Sequence, residues 1–217
     1  MDEQIISRRI SELKNKLTRL NNYISAMEEM NIQEDPERYS LISNDAALQA
    51  EHIACQFRNL IFASNSAEKS DYLVKASETH GIEVDCKDGI FSVCLPRLLP
   101  KKKTRQSDLF LIDPIHAAIE FYQQKNPVPY YKECVVCIVH MYDRELPEWC
   151  ILDYDNMQQK HIIDAVAAHI MTDDSGLICD AFNTTEFGDS TCTQVYVMEK
   201  DRFPLWLKQR KSRLENT

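Results

Sequence analysis

The hydrophobic pattern of this chain changes at Gly81, and that change constrains the fold more than any other feature. Before Gly81, apolar residues recur every three or four positions, which is typical of amphipathic helices. After Gly81, short apolar segments alternate with helical ones, and turn residues separate them. The sequence therefore predicts a helical extension over residues 1–80, followed by an α+β domain with a mixed sheet over residues 81–217.

The first 80 residues contain three predicted helices. The first carries seven apolar residues at alternating steps of four and three, a heptad seam: Ile6, Ile10, Leu13, Leu17, Leu20, Ile24 and Met27. A second helix is predicted from about Asp45 to Ala63, with residues 31–42 as the connection, and a third from Ser66 to His80. Two interpretations remain open: a helical hairpin within one chain, or a coiled coil between two chains.

Residues 81–217 predict the element order β-β-α-β-α-β-β-α. Ile82–Leu95 is predicted to form two strands around an Asp88-Gly89 turn. The following elements are a helix over Asp113–Gln124, a strand over Tyr131–Tyr142, a helix over Asp155–Met171, a closing hairpin of Leu177–Phe187 and Thr191–Met198, and a short helix over Phe203–Arg210.

Composition narrows the range of functions. The net charge of −9 disfavours a general nucleic-acid coat protein, because such proteins are basic. The chain shows no export signal and no apolar run of about 18 residues, so we expect a cytoplasmic protein with no membrane span. Its eight cysteines are then expected to be reduced thiols.

Acidic residues cluster on either side of the helix predicted over 155–171. Asp153 and Asp155 are two residues apart, so on an extended segment they point to the same side. Asp173 and Asp174 follow the helix. If these carboxylates converge, burying them requires a hard divalent cation. The alternative is helix capping and solubility, with Asp155 as an N-cap.

Two groups of basic residues could each either bind phosphate or have no functional role. Lys160 could stabilise negative charge near a phosphate, or it could simply pair with Asp164 four residues later. A basic loop follows Pro96, and its cations could contact phosphates or only be solvated: Lys101, Lys102, Lys103 and Arg105.

The C-terminal region, about residues 81–200, resembles the RusA-type Holliday-junction resolvases, which are small dimeric endonucleases found largely in phages and prophages. The matching pieces are Asp153-Tyr-Asp155-Asn156, a helix containing Asp164-Ala-Val, and then Asp173-Asp174 leading into a strand. Upstream, the basic loop and Leu111-Ile-Asp-Pro114 resemble the corresponding part of the family. The order of elements also agrees, whereas the first 80 residues match nothing in the family core.

The resemblance implies a role for each matching residue. Asp153, Asp155 and Asp174 would be catalytic carboxylates that bind Mg²⁺, or Mn²⁺ in its place, and Lys160 would be the catalytic lysine. Three residues would assist them, Asp173, Asn156 and Asp164, while the loop of Lys101, Lys102, Lys103 and Arg105 would contact DNA. The family lysine lies four residues after the second Asp, where this chain has Gln159. On a continuous helix, Lys160 would be turned by about 100° from that position.

Two functions follow as hypotheses. The first is a magnesium-dependent endonuclease that cuts branched or structured DNA and acts as a homodimer. The second is a non-catalytic interaction protein on the same fold, whose helical extension recruits a partner. The acidic net charge, the displaced lysine and the helical extension favour the second hypothesis, but taken together with the motifs above we favour the nuclease.

Overall fold

The computed structural model describes residues 3–64, 69–96, 99, 108–145 and 151–215. The chain divides into two compact units, Met1–Lys69 and Ser70–Thr217. This division lies before the boundary predicted at residue 80, so almost all of the third helix belongs to the second unit.

The first unit consists of two long helices, α1 over Glu3–Glu28 and α2 over Pro36–Ser64. The prediction that residues 31–42 only connect them was wrong, because α2 begins at Pro36. Proline suits the first helical position, where no N–H partner is needed. The backbone N–H of Arg38 donates to Asp35 Oδ1 at 3.1 Å, so the side chain of Asp35 caps the helix.

The heptad seam of α1 divides into two columns with different environments. Leu13 is only 3% exposed and belongs to the column formed by Ile6, Leu13, Leu20 and Met27, none of which is exposed. The other column remains exposed at 43–46% of each side chain, and it consists of Ile10, Leu17 and Ile24. Packing of α1 on α2 therefore covers one column of the seam and leaves the other uncovered by the residues described in this unit.

Helix α3, Lys69–Thr79, ends one residue before the predicted end at His80, and Gly81 closes it. Gly81 has a φ of +70°, which glycine adopts without strain. The N–H of Ile82 donates to the carbonyl of Ser77 at 2.9 Å, and that of Gly81 donates to Glu78 at 2.9 Å. This pair of bonds is the Schellman arrangement that closes helices. The first residues of the predicted third helix, 66–68, lie outside the described part of the chain.

The second unit is built on a mixed five-stranded sheet, which confirms the predicted α+β class. Its strands are β1 over Glu83–Lys87, β2 over Ile90–Leu95, β3 over Cys134–Asp143, β4 over Cys179–Gly188 and β5 over Cys192–Glu199. The spatial order is β1-β2-β5-β3-β4, and only β3 and β4 are parallel. Asp88 and Gly89 both have positive φ angles, as the predicted hairpin turn requires.

The predicted closing hairpin of β4 and β5 was wrong, because β3 lies between these two strands. Residues Cys134–His140 of β3 are all buried, and a strand buried on both faces belongs in the middle of a sheet. Strand β3 also begins three residues later than predicted. Tyr131 instead forms a single parallel bridge with Met171.

Helices cover both faces of this sheet. Helices α4 (Asp108–Gln123) and α5 (Lys160–Ile170) pack on the face that contains Val136 and Ile138. Helix α6 (Phe203–Glu215) packs on the opposite face, against Val135 and Val139. Alternate side chains of a strand point to opposite faces, so β3 contributes to both cores. Cys134 and Cys137 accordingly lie in different cores.

Two helix boundaries differ from the predictions. Helix α4 begins five residues before Asp113 and contains Pro114. Proline removes one intrahelical hydrogen bond, and burial of Ile115 and Ile119, both 0% exposed, opposes that loss. Helix α6 extends five residues beyond Arg210. Within the described residues, no helix is long and apolar enough to cross a membrane.

We predict that Trp206 holds α6 on the sheet. Trp206 is 8% exposed and contacts the rings of Phe182, Tyr196 and Phe203. Trp206→Ala should lower the free energy of unfolding by about 3–5 kcal/mol, measured by urea denaturation. The control is Leu205→Ala, because Leu205 is 60% exposed on the same helix, and it should change stability by no more than about 0.5 kcal/mol. Equal losses in the two variants would contradict this packing.

Candidate functional site

The acidic motif does not begin helix α5, which corrects the prediction of a continuous helix from Asp155. Residues Tyr154–Asn156 form a short 3₁₀ helix, after which Met157 is extended, with φ −95° and ψ 145°. Helix α5 starts only at Lys160, with Gln159 as its N-cap. Met157 is 1% exposed and packs in the core with α4 and α5. Burial of this side chain accounts for the break between the two helices.

Helix capping therefore does not account for the two aspartates. Asp155 lies inside the 3₁₀ helix and not at the start of α5. Asp153 precedes the 3₁₀ helix in an extended conformation, and its side chain makes no capping hydrogen bond. Both side chains are exposed. The capping interpretation is wrong for Asp155, and both carboxylates face solvent.

Aromatic residues fix the segment Asp153–Asp155, called the acidic turn below, to the carboxyl end of β3. The ring of Tyr154 stacks on His140, with centroids 5.4 Å apart and an interplanar angle of 23°. Its hydroxyl lies 3.0 Å from Thr185 Oγ1 on β4. One residue before Asp153, the N–H of Leu152 donates to the hydroxyl of Tyr142 at 2.9 Å. The backbone on either side of Asp153 is thus held to the sheet while its carboxylate stays exposed.

Lys160 forms a charged cluster with two carboxylates. Its Nζ lies 3.0 Å from Asp164 Oδ1 and 4.0 Å from Asp174 Oδ2. Asp164, and more weakly Asp174, raise the pKa of Lys160. The three side chains are 72%, 40% and 37% exposed, so these contacts contribute little to stability. Asp173 accepts the N–H of Asp174 at 2.9 Å, which orients this end of the cluster.

The sequence suggested that Lys160 is turned by about 100° from the position of the family lysine, and the structure does not support this rotation. The expected rotation of about 100° applies only to residues on one continuous helix. The segment between Asp155 and Lys160 contains the extended Met157, so the spacing of five residues implies no such rotation. Lys160 is instead the first residue of α5.

The structure brings together Lys160, Asp164 and Asp174, but it does not assemble the predicted metal site. Within the described residues, no group of three or more His, Cys, Asp or Glu side chains is placed to hold a metal ion. Asp153, Asp155 and Asp174 therefore do not converge as three ligands. The side chain of Asn156 and the loop residues Lys101, Lys102, Lys103 and Arg105 lie outside the described part of the chain.

His140 is a component of the site that the sequence did not reveal. It is 0% exposed, and neither ring nitrogen has a hydrogen-bond partner among the described residues. Burial lowers the pKa of His140, and the neighbouring Asn183 opposes that shift. Thr193, which pairs with His140 in β5, is also 0% exposed, and its hydroxyl oxygen has no hydrogen-bond partner in the part of the chain that the structure describes. No sequence signal gave this placement, because Tyr154 and Asp155 lie in the 3₁₀ helix, where the alternation of side chains along a strand does not apply.

Comparison with known proteins identifies a family. A family model described as a family of unknown function, DUF6100, matches residues 2–217. The chain belongs to this DUF6100 family. No curated protein matches it. Among solved structures, the periplasmic domain of Helicobacter pylori MotB is similar at 12% identity over 63% of this chain and 88% of that one. The TM-score of 0.33 is too low to support any conclusion about this DUF6100 protein.

We predict that the buried His140 makes this DUF6100 protein less stable in mild acid. Because the folded-state pKa is lowered, the unfolded chain takes up a proton first as the pH falls below about 6.5. The contribution of His140 to stability is therefore present above that pH and is lost below it. Urea unfolding at pH 7.5 and 5.5 should show a larger acid-induced loss in the parent than in His140→Gln. The same loss in both proteins would contradict a neutral buried His140.

Proposed function

We propose that the second unit is a nuclease that acts on branched or otherwise structured DNA and depends on a divalent cation. The observation that carries the proposal is the acidic turn at the end of β3. Tyr154 and Leu152 hold this turn to the sheet, while Asp153 and Asp155 are exposed and have no capping role. Exposed carboxylates on a fixed backbone are suited to binding a hard cation beside a phosphate.

The position of Lys160 also supports this proposal. It is the first residue of α5, five residues after Asp155, and its ammonium lies within 4.0 Å of Asp174. A cation in this position could offset negative charge that develops on a phosphate. The resemblance to RusA-type resolvases assigns the same three kinds of group to this region: the Asp153–Asp155 pair, a lysine and Asp174.

The metal part of the proposal rests on donor chemistry and not on a preformed site. Carboxylate oxygens are the ligands that Mg²⁺ and Mn²⁺ prefer. Asp153, Asp155 and Asp174 offer that chemistry, but their arrangement does not fit a three-ligand site. The proposal is therefore limited to hydrolysis of a phosphodiester that requires added divalent cation.

DNA binding is assigned to the basic loop by sequence. Lys101, Lys102, Lys103 and Arg105 would contact backbone phosphates, which gives recognition of shape and not of base sequence. Such an enzyme would work in the cytoplasm, where its thiols remain reduced.

A cleavage assay on a four-way DNA junction with Mg²⁺ or Mn²⁺ tests the proposal. Asp155→Asn and Asp174→Asn should each lower the cleavage rate by at least about 100-fold, because each replaces a carboxylate, the donor that the added cation prefers, by a neutral amide. Binding of the junction should persist, since negative charge near the phosphates is reduced. Rates are measured in single-turnover conditions with radiolabelled strands.

The matched control for these two variants is Asp201→Asn. Asp201 is an exposed aspartate in the turn before α6 and should leave cleavage unchanged. If the parent fails to cut any junction with either ion, the nuclease proposal is overturned. If Asp155→Asn cuts as fast as the parent, the site is misassigned.

A non-catalytic interaction protein is the second candidate, and one observation favours it. Lys160 already forms ion pairs with Asp164 and Asp174, so these charges offset one another without a bound metal. On this hypothesis the parent binds junction DNA weakly or not at all, and it shows no cleavage with either ion. The same assay therefore separates the two candidates.

We also propose that a second copy of the chain covers the exposed column of α1. Ile10, Leu17 and Ile24 repeat every seven residues and are 43–46% exposed, and this spacing is that of a coiled-coil seam. The resemblance to a dimeric family supports the same partner. Leu17→Glu with Ile24→Glu should convert a dimer into a monomer, because it places charges in an apolar interface. Sedimentation equilibrium measures the mass.

Asn15→Glu is the control, because Asn15 is exposed on α1 and lies outside the seam. It should remain dimeric. Leu13 is unsuitable for this test, since it is buried within its own unit and its replacement would also disturb the fold. A monomeric parent at micromolar concentration would overturn the dimer.

A further inference from the structure

Two histidines meet between α4 and α5, away from the acidic turn. His116 Nδ1 lies 2.8 Å from His169 Nε2, and the two ring centroids are 5.0 Å apart. Both side chains are half-buried, so the pair is partly exposed to solvent. Two imidazole nitrogens at this distance share one proton or bind one metal ion.

We propose that His116 and His169 form a two-histidine site for a transition-metal ion that prefers right-angle coordination, such as Ni²⁺. The site links α4 to α5. It does not depend on the proposed nuclease activity, because neither histidine belongs to the acidic turn or to the Lys160 cluster.

The separation of the two nitrogens is that of an ordinary hydrogen bond, and it limits which ions the pair could hold without moving apart. Histidine nitrogens coordinate such metals at about 2.0 Å, and two of them at a right angle are then about 2.8 Å apart. A tetrahedral ion would need about 3.3 Å between them. Square-planar or tetragonal coordination is the geometry of Ni²⁺ and Cu²⁺ with nitrogen ligands. The observed 2.8 Å fits this geometry, with water completing the ligand set.

The protonation of the pair is compatible with metal binding. Burial, and then the neighbouring His116, lower the pKa of His169, so this ring is neutral at neutral pH. In the hydrogen-bonded pair, one facing nitrogen carries a proton and the other a lone pair. Binding of a metal requires lone pairs on both, so one ring moves its proton to its other nitrogen. No net proton is released and no co-reactant is needed.

Groups around the pair also favour a cation. Glu120, one turn after His116 on α4, lies close enough to act electrostatically on His169. His169 is in the last turn of α5, where the helix dipole attracts positive charge. The side chain of Gln123 donates to the carbonyl of His169 at 3.4 Å and helps to hold the end of this helix against α4.

Buried thiols do not compete strongly for the ion. Burial raises the pKa of Cys94 to about 11 and those of Cys134 and Cys137 to about 12. These thiols stay protonated at pH 7.5, and the thiolate is the form that binds metals. Ni²⁺ is the better probe, because Cu²⁺ would oxidise accessible thiols.

The test is calorimetric titration of the full-length protein with Ni²⁺ at pH 7.5. The parent should bind one ion per chain. His116→Gln and His169→Gln should each weaken that binding by at least about tenfold, since even the loss of an outer-shell partner costs that much. His52→Gln is the control, because His52 is exposed on α2, and it should bind as the parent does. Circular dichroism verifies that each variant is folded.

Three results would overturn the site: no binding to the parent, unchanged binding in either His116→Gln or His169→Gln, or an equal loss in His52→Gln. If a variant does not fold, NMR of the parent decides the question. Ni²⁺ that is six-coordinate, with water as its remaining ligands, is paramagnetic and should broaden the imidazole signals of His116 and His169 first. Broadening that begins at other histidines instead would assign the ion elsewhere.

Discussion

Strand β3 is hydrogen-bonded on both edges and packed on both faces, and the rest of the second unit is arranged around it. It pairs in parallel with β4 and antiparallel with β5 over almost its whole length. Its alternate side chains enter the core under α4 and α5 on one face and the core under α6 on the other. A strand buried in this way must be apolar throughout, which explains the unbroken run from Cys134 to Val139.

The same strand positions the candidate site. His140 and Tyr142 lie near its carboxyl end, and they hold Tyr154 and Leu152 by ring stacking and by a hydrogen bond. These contacts hold the backbone next to Asp153 and Asp155, and the two carboxylates are exposed to solvent. The acidic turn therefore depends on contacts with a buried histidine and a buried tyrosine.

The sequence predicted correctly those features that depend only on residues adjacent in the chain. The Asp88-Gly89 hairpin and the helix end at Gly81 followed from residues that adopt positive φ angles. The pairing of β4 with β5 could not be predicted in this way. Their short connection suggests a hairpin, but the better burial of β3 between them decides the order. The start of α5 was likewise set by burial of Met157, which lies far from its core neighbours in sequence.

The sequence by itself determined the α+β class, the helical first region and the acidic residues on either side of α5, because periodicity and turn chemistry are local. The tertiary structure decided which groups meet. It placed Lys160 between Asp164 and Asp174, kept the three predicted metal ligands from converging, and brought His116 within 2.8 Å of His169. Contacts between residues distant in sequence depend on how helices and strands pack, and no local pattern in one sequence specifies that packing.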